Sequence, residues 1–186
     1  LGDPASAIRW FKKADTTDRN TIFLYNKIAR AYLELKKKDS AARYLEMAGL
    51  ENQKRNGKTK NVAYGLTFFY KAELALSENQ LRDAIHLFQQ SVIQFHNDFS
   101  DSSSYRNPES FNGVFSYIQL FNALSEKAEA LSLLYRQQKE IPVLESALDA
   151  YQSAFRLASY VERTYDSDEA RLFLGKIKHH VHSKPI

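Results

Sequence analysis

The chain has 186 residues, 44% of them hydrophobic, 26% charged, with a net charge of +4. That is ample material for a core, and too mild a basic excess to mark a nucleic-acid binder, whose Lys and Arg gather on one face with aromatics between them. Cysteine is absent, which excludes a disulfide framework, a thiolate metal site and a cysteine nucleophile, and the 6 Gly and 4 Pro favour long helices over turn-rich β architecture.

The predicted elements run as follows. Leu1-Gly2-Asp3-Pro4 is no signal peptide and reads as a cut within something longer; Asp3 and Pro4 read as an N-cap and a first-turn proline. Helices are expected near 4–15, 21–37, 40–53, 61–78, 80–97, 117–138 and 142–164, with a last one near 167–182, so seven or eight in all. Asp39 is expected to cap the third helix, and Gly49 and Gly57 to bracket the loop after it. Residues 97–107 read as a loop, and Gly113-Val114-Phe115 as either a short extended piece or a helix start. Pro142 falls in the first turn of the seventh helix, where it is tolerated, and Asp166 with Glu169 forms a capping-box pattern. No stretch approaches the ~20 apolar residues that span a bilayer, so a membrane is not an expected partner; the mild basic excess makes a nucleic acid an unexpected one too, and the lack of cysteine is consistent with the cytoplasmic location expected here.

Sliding the chain along itself exposes a repeat. A small residue, a large one four positions on and a small one at seven recur as Ala7/Phe11/Ala14, Ala41/Leu45/Ala48, Ala84/Phe88/Ser91 and Ala147/Tyr151/Ala154, each on one helical face. The 34 residues from Ala7 to Ala41 grow to 43 from Ala41 to Ala84, which places an insertion in the polar stretch 51–60. Upstream of Ala41 stand Tyr25, Ile28, Ala29 and Tyr32, and upstream of Ala84 stand Phe68, Lys71, Ala72 and Ala75. Small residues let paired helices approach while the large ones fill the adjacent gap, and each pair must stack on the next to bury its apolar face.

This spacing resembles the tetratricopeptide repeat family. The resemblance implies a single all-α domain over 1–186, a right-handed α-solenoid of antiparallel helix pairs, with repeats near 1–15 (partial), 21–53, 61–97, 117–164 and 167–182 (partial). Lys71 and Ala75 depart from the Leu and Tyr of the pattern, so packing there should be looser. Residues 124–174 are similar to the arrays that precede a CHAT domain, a caspase-like module, in bacterial proteins, which implies an adaptor or regulatory arm whose effector lies further along a longer chain. Its partner would be a protein or peptide held in the concave groove, and no cofactor is implied. By helix position the groove residues are Phe23, Asn26, Lys27, Arg30 and Leu33, then Leu66, Phe69, Tyr70, Glu73 and Leu76. Phe68 falls to the core by the same reckoning, while the stretch Tyr64–Tyr70 reads either as a peptide shelf or as extra packing. Asn26 and Arg30 exchange the residue types of the carboxylate-clamp subset, and Glu73 repels an acidic end, so a mixed apolar and polar ligand suits the groove. The other reading is a structural spacer or self-association domain.

Catalytic and metal signatures are lacking. No Gly-rich phosphate loop and no Gly-x-Ser-x-Gly elbow occurs. Glu126 and Glu129 read as pairing with Lys127 and Arg136 on solvated faces, not as an acid–base pair in an apolar cleft. His179 and His182 share a helix face beside His180 but lack further ligands. His86 and His96 read as partly exposed helix residues. The chain is expected not to be an enzyme.

Overall fold

Asp3 opens the first helix as its sequence dictates: its carboxylate accepts the Ala5 and Ser6 amides at 3.1 and 3.0 Å, two of the donors a helix start leaves over. The computed structural model describes residues 3–13, 20–164 and 175, and seven helices run through these: α1 Pro4–Lys13, α2 Thr21–Glu34, α3 Lys38–Asn56, α4 Val62–Ser77, α5 Leu81–Phe95, α6 Tyr117–Gln138 and α7 Ile141–Thr164. No strand occurs among the described residues, and the helix near 167–182, its capping box and the triple histidine lie outside them.

The first two hairpin turns are built alike. The Lys36 and Lys37 amides reach back to Leu33 and Tyr32, and the Asn79 and Gln80 amides to Leu76 and Ala75, all at 2.9 Å. Lys36 and Asn79 hold φ of 57° and 59°, so each turn is a Schellman motif closed by a left-handed residue that is not glycine. The third turn has Lys139 at φ 59° and the simpler bond from its amide to Tyr135. Each turn folds a pair back on itself: Arg55 at the end of α3 reaches Thr21 at the start of α2, and Ser91 Oγ on α5 donates to Gly65 O on α4. Pairs α2/α3, α4/α5 and α6/α7 then pack in succession, α4 against both α2 and α3, and α6 chiefly against α5.

The alanines do what the spacing requires. Ala29, Ala41, Ala48, Ala72 and Ala84 are fully buried, with Leu45 and Phe88 between them. Tyr44 fits between Tyr25 and Tyr32, at 6.1 and 5.7 Å between ring centres. In α7 the buried apolar series is Val143, Ala147, Ala150, Ala154, Leu157 and Val161, so Tyr151 sits at the core's edge and not in the filler position expected for it.

Three local expectations are corrected. Asp39 lies inside the first turn of α3 and does not cap it, because the Schellman turn delivers the chain directly into helix at Lys38. Gly49 is within α3, which runs on to Asn56 and takes up much of the insertion as helix; Asn56 and Asn61 both donate to Asn52 Oδ1 and brace the added turns, and Gly57, at φ 57°, ends them. His96, expected to be partly exposed, is buried with its Nε2 2.8 Å from Ser110 O; Val114, just past the left-handed turn at Gly113 (φ 72°), forms an antiparallel bridge with it, so of the two alternatives for Gly113-Val114-Phe115 the helix start is not taken.

Candidate partner-binding face

The residues expected to line the groove divide into two groups. Lys27 and Arg30 project from α2 into solvent, and Phe23 is 36% exposed one turn before them. The Lys27 ammonium lies 5.7 Å from the Phe11 ring centre on α1, within cation–π range. Arg30 Nε donates to Glu34 Oε1 at 3.1 Å and also interacts with the Tyr70 hydroxyl across on α4. Burial works against the charge on Arg30, but Tyr70 and Glu34 outweigh it and hold its pKa above the ordinary value. Tyr70 titrates higher than a free tyrosine, chiefly through burial and further through Glu73, with Arg30 opposing. Thus Lys27, Arg30 and Tyr70, flanked by Phe23 and Glu73, form a mixed cationic and aromatic face over α1, α2 and α4. Leu33, Leu66 and Leu76 are partly buried beneath it, Leu66 and Leu76 against the core.

The second group does not reach that face. Asn26 is 1% exposed; its Nδ2 donates to Ala63 O at 2.7 Å and its Oδ1 accepts from Thr67 Oγ1 at 3.0 Å, a polar lock between α2 and α4. Phe69 is 8% exposed and meets Phe88 edge-on, 5.5 Å between centres. Both side chains are spent on packing between helices. The aromatic stretch is therefore split: Phe69 is core, Tyr70 borders the face, and Phe68, expected in the core, is partly buried on another side of α4 with Tyr64 at 4.5 Å. Gly65 decides this phase, since the Phe95 ring rests where its Cβ would be, 2.3 Å from Phe95 Cε1.

Sequence reasoning missed a buried charge. Lys127 is not on a solvated face; it is fully buried, with Nζ donating to Gln89 Oε1, to Arg106 O at 2.9 Å and to Asn107 Oδ1 at 2.9 Å. Gln89 and Asn107 are oriented in turn by Asp101 O and Asp149 Oδ2, both at 2.7 Å. Burial depresses the Lys127 pKa to about 7, against the pull of Asp149 and Asp101. The signal was present, for Leu124, Lys127, Ala128 and Leu131 share one apolar helical face. The cluster ties the irregular segment 96–116 to α5, α6 and α7.

Among the described residues no group of His, Asp or Glu is arranged to hold a metal ion, and no helix is long and apolar enough to cross a membrane. Comparison with family models, with curated proteins and with solved structures returns no match, so the reading of this face rests on its own geometry.

Proposed function

We propose that this chain is a non-catalytic protein-interaction module of the tetratricopeptide kind, a right-handed solenoid whose α1–α2–α4 face takes a peptide or a neighbouring domain. The carrying observation is the pairing of exposed Arg30 on α2 with Tyr70 on α4, next to Lys27: two successive hairpins offer donors and an aromatic edge at one place. A ligand with backbone carbonyls or amide side chains for Arg30 and Lys27, and an apolar side chain for Phe23 and Tyr70, fits this chemistry, since buried aromatic and Arg anchors dominate binding energy. The resemblance of 124–174 to arrays that precede a CHAT module makes such a module, in a longer cytoplasmic chain, the proposed effector, with no nucleic acid or cofactor involved.

A photo-crosslinking residue placed at Phe23, with one at Ser159 on α7 as control, tests the reading. Adducts are expected from Phe23 only and should vanish in the Lys27→Ala/Arg30→Ala double variant, with the melting temperature lowered by no more than a few degrees. Equal adducts at both positions, or adducts indifferent to the double variant, would refute it. A second reading, self-association, is favoured by Ile141, Leu148 and Phe155, which line one side of α7 at 58, 52 and 56% exposure. Sedimentation of Leu148→Glu beside the parent chain separates the two.

A further inference from the structure

The departures at Lys71 and Ala75 leave a feature that the α1–α2–α4 face does not use. Tyr64, Phe68, Lys71 and Ala75 are spaced four, three and four along α4, so they share one side of it, about 16 Å long at 1.5 Å per residue. Leu66 and Tyr70 lie on the opposite side, each roughly 200° from Tyr64 or Phe68 by two residues' rotation. Above this floor α3 and α5 stand apart. One hollow of about 760 Å³ lies over Tyr64 and Phe68, and another of about 590 Å³ over Lys71 and Ala75, both walled by α3 and α5. Where the family pattern has large fillers, Lys71 bends toward Gly49 and Ala75 is small; a Cβ at Gly49 would be 3.8 Å from Lys71 Nζ.

The lining changes along the floor. The first hollow is neutral apart from Lys58, and carries the amides of Gln53, Gln90 and Gln94. Gln94 Oε1 accepts the Asn61 amide at 3.2 Å, which leaves its NH₂ to donate. The Gln53 and Gln90 amides make no side-chain hydrogen bond among the described residues. Tyr64 and Phe68 meet at 48°, so together they form a V-shaped notch. A notch of that shape takes a branched aliphatic or proline side chain, whereas a sugar ring wants one flat exposed face. The second hollow is acidic: Glu46, Glu78 and Asp83 outnumber Lys71, His86 being the other titratable group, and none of the three carboxylates is ion-paired among the described residues.

We propose that this crevice is a second binding site, for an extended peptide of about five residues with an aliphatic or proline side chain at one end and Lys or Arg three or four residues away. At 3.3 Å per residue such a segment matches the floor. Its aliphatic side chain sits in the Tyr64–Phe68 notch, its backbone amides meet Gln90 and Gln94, and its cation meets Glu46, Glu78 and Asp83. The site is separate from the Arg30 face, and the two stand or fall independently.

The test is a phage-displayed library of random linear heptapeptides panned on the whole chain, followed by fluorescence polarisation of the enriched peptides. Enrichment of Leu, Ile or Pro followed at three or four residues by Lys or Arg is expected. Phe68→Ala and Asp83→Lys should each weaken those peptides at least tenfold, and Arg30→Ala should leave them unchanged. Phe68 is partly buried, so the exposed Asp83→Lys and the neutral Gln90→Ala, checked by thermal melts, keep the outcome readable if Phe68→Ala misfolds. Absence of any common pattern, binding indifferent to Asp83→Lys and Gln90→Ala, loss in Arg30→Ala instead, or displacement by neutral oligosaccharides in preference to peptides would each overturn the proposal.

Discussion

Replacing Lys127 with Met is the perturbation whose outcome depends most directly on the buried cluster. Met keeps the length and volume of the lysine stem but removes three donors. Gln89 Oε1, Arg106 O and Asn107 Oδ1 then lose their shared partner, at about 1–3 kcal/mol for each acceptor left buried and unsatisfied. Against that, the variant no longer desolvates an ammonium, itself worth several kcal/mol. These terms oppose, so the net effect at one pH decides little, whereas the pH dependence does. In the folded chain Lys127 loses its proton near pH 7, while unfolded it holds it to about 10.5. Between those values the unfolded state binds more protons than the folded one, so stability rises with pH across this window, by up to about 5 kcal/mol at 1.36 kcal/mol per unit. Below pH 7 both states are protonated and the slope from this group disappears.

Urea unfolding followed by circular dichroism at pH 6, 7, 8, 9 and 10 measures the difference. The parent chain should gain stability from pH 7 to 10 relative to Lys127→Met, because every other group titrates alike in both. Trypsin should also cleave after Arg106 sooner in the variant, since its carbonyl is one of the three freed acceptors. Parallel stability curves would show that Lys127 keeps its proton throughout, held by three acceptors and by Asp149 and Asp101, and would refute the reasoning.

Two further outcomes test the packing. Gly65→Ala forces a methyl into the Phe95 ring, 2.3 Å from Cε1, and should cost about 1–3 kcal/mol of stability with a melting temperature several degrees lower; an unchanged melt would mean that Phe95 is not seated on Gly65. Asn26→Ala and Thr67→Val share one hydrogen bond and one acceptor, Ala63 O, so a double-mutant cycle should show a coupling of about 0.5–3 kcal/mol, while strict additivity would dissolve the proposed lock.

The helical framework was legible because its cause is periodic. Seven helix positions agree with the sequence reading to within a few residues, since small and large side chains at fixed offsets leave hardly another way to pack. What sequence could not show depends on single contacts. The turns at Lys36, Asn79 and Lys139 carry no glycine, so their left-handed residues gave no local signal. Gly49 looked like a stop, yet it lies within α3, which runs on to Asn56. The aromatic run offered two phases for Phe68 and Phe69, and the choice was made by Phe95, thirty residues away in Gly65's missing side chain. Asn26 occupies a groove position by family pattern and is buried because Thr67 and Ala63 O lie opposite.

Two lysines spend their ammonium groups on the irregular segment instead of on solvent. Lys60 Nζ donates to the carbonyls of His96, Asn97 and Phe99 and to Ser100 Oγ, at 2.7–3.0 Å, and burial lowers its pKa while Asp98 opposes. Lys127 holds the Arg106 carbonyl and the Asn107 side-chain Oδ1 halfway along the segment. An irregular stretch offers carbonyls that no ladder satisfies, and an ammonium with three donors is the side chain best suited to gather them. Pinned at its start and its middle, the segment covers Gln89 of α5, which is buried and donates to Asp101 O. His86, Gln90 and Gln94, on another side of that helix, remain toward the crevice over α4. By covering Gln89 and not these three residues, the segment leaves the crevice proposed over α4 open.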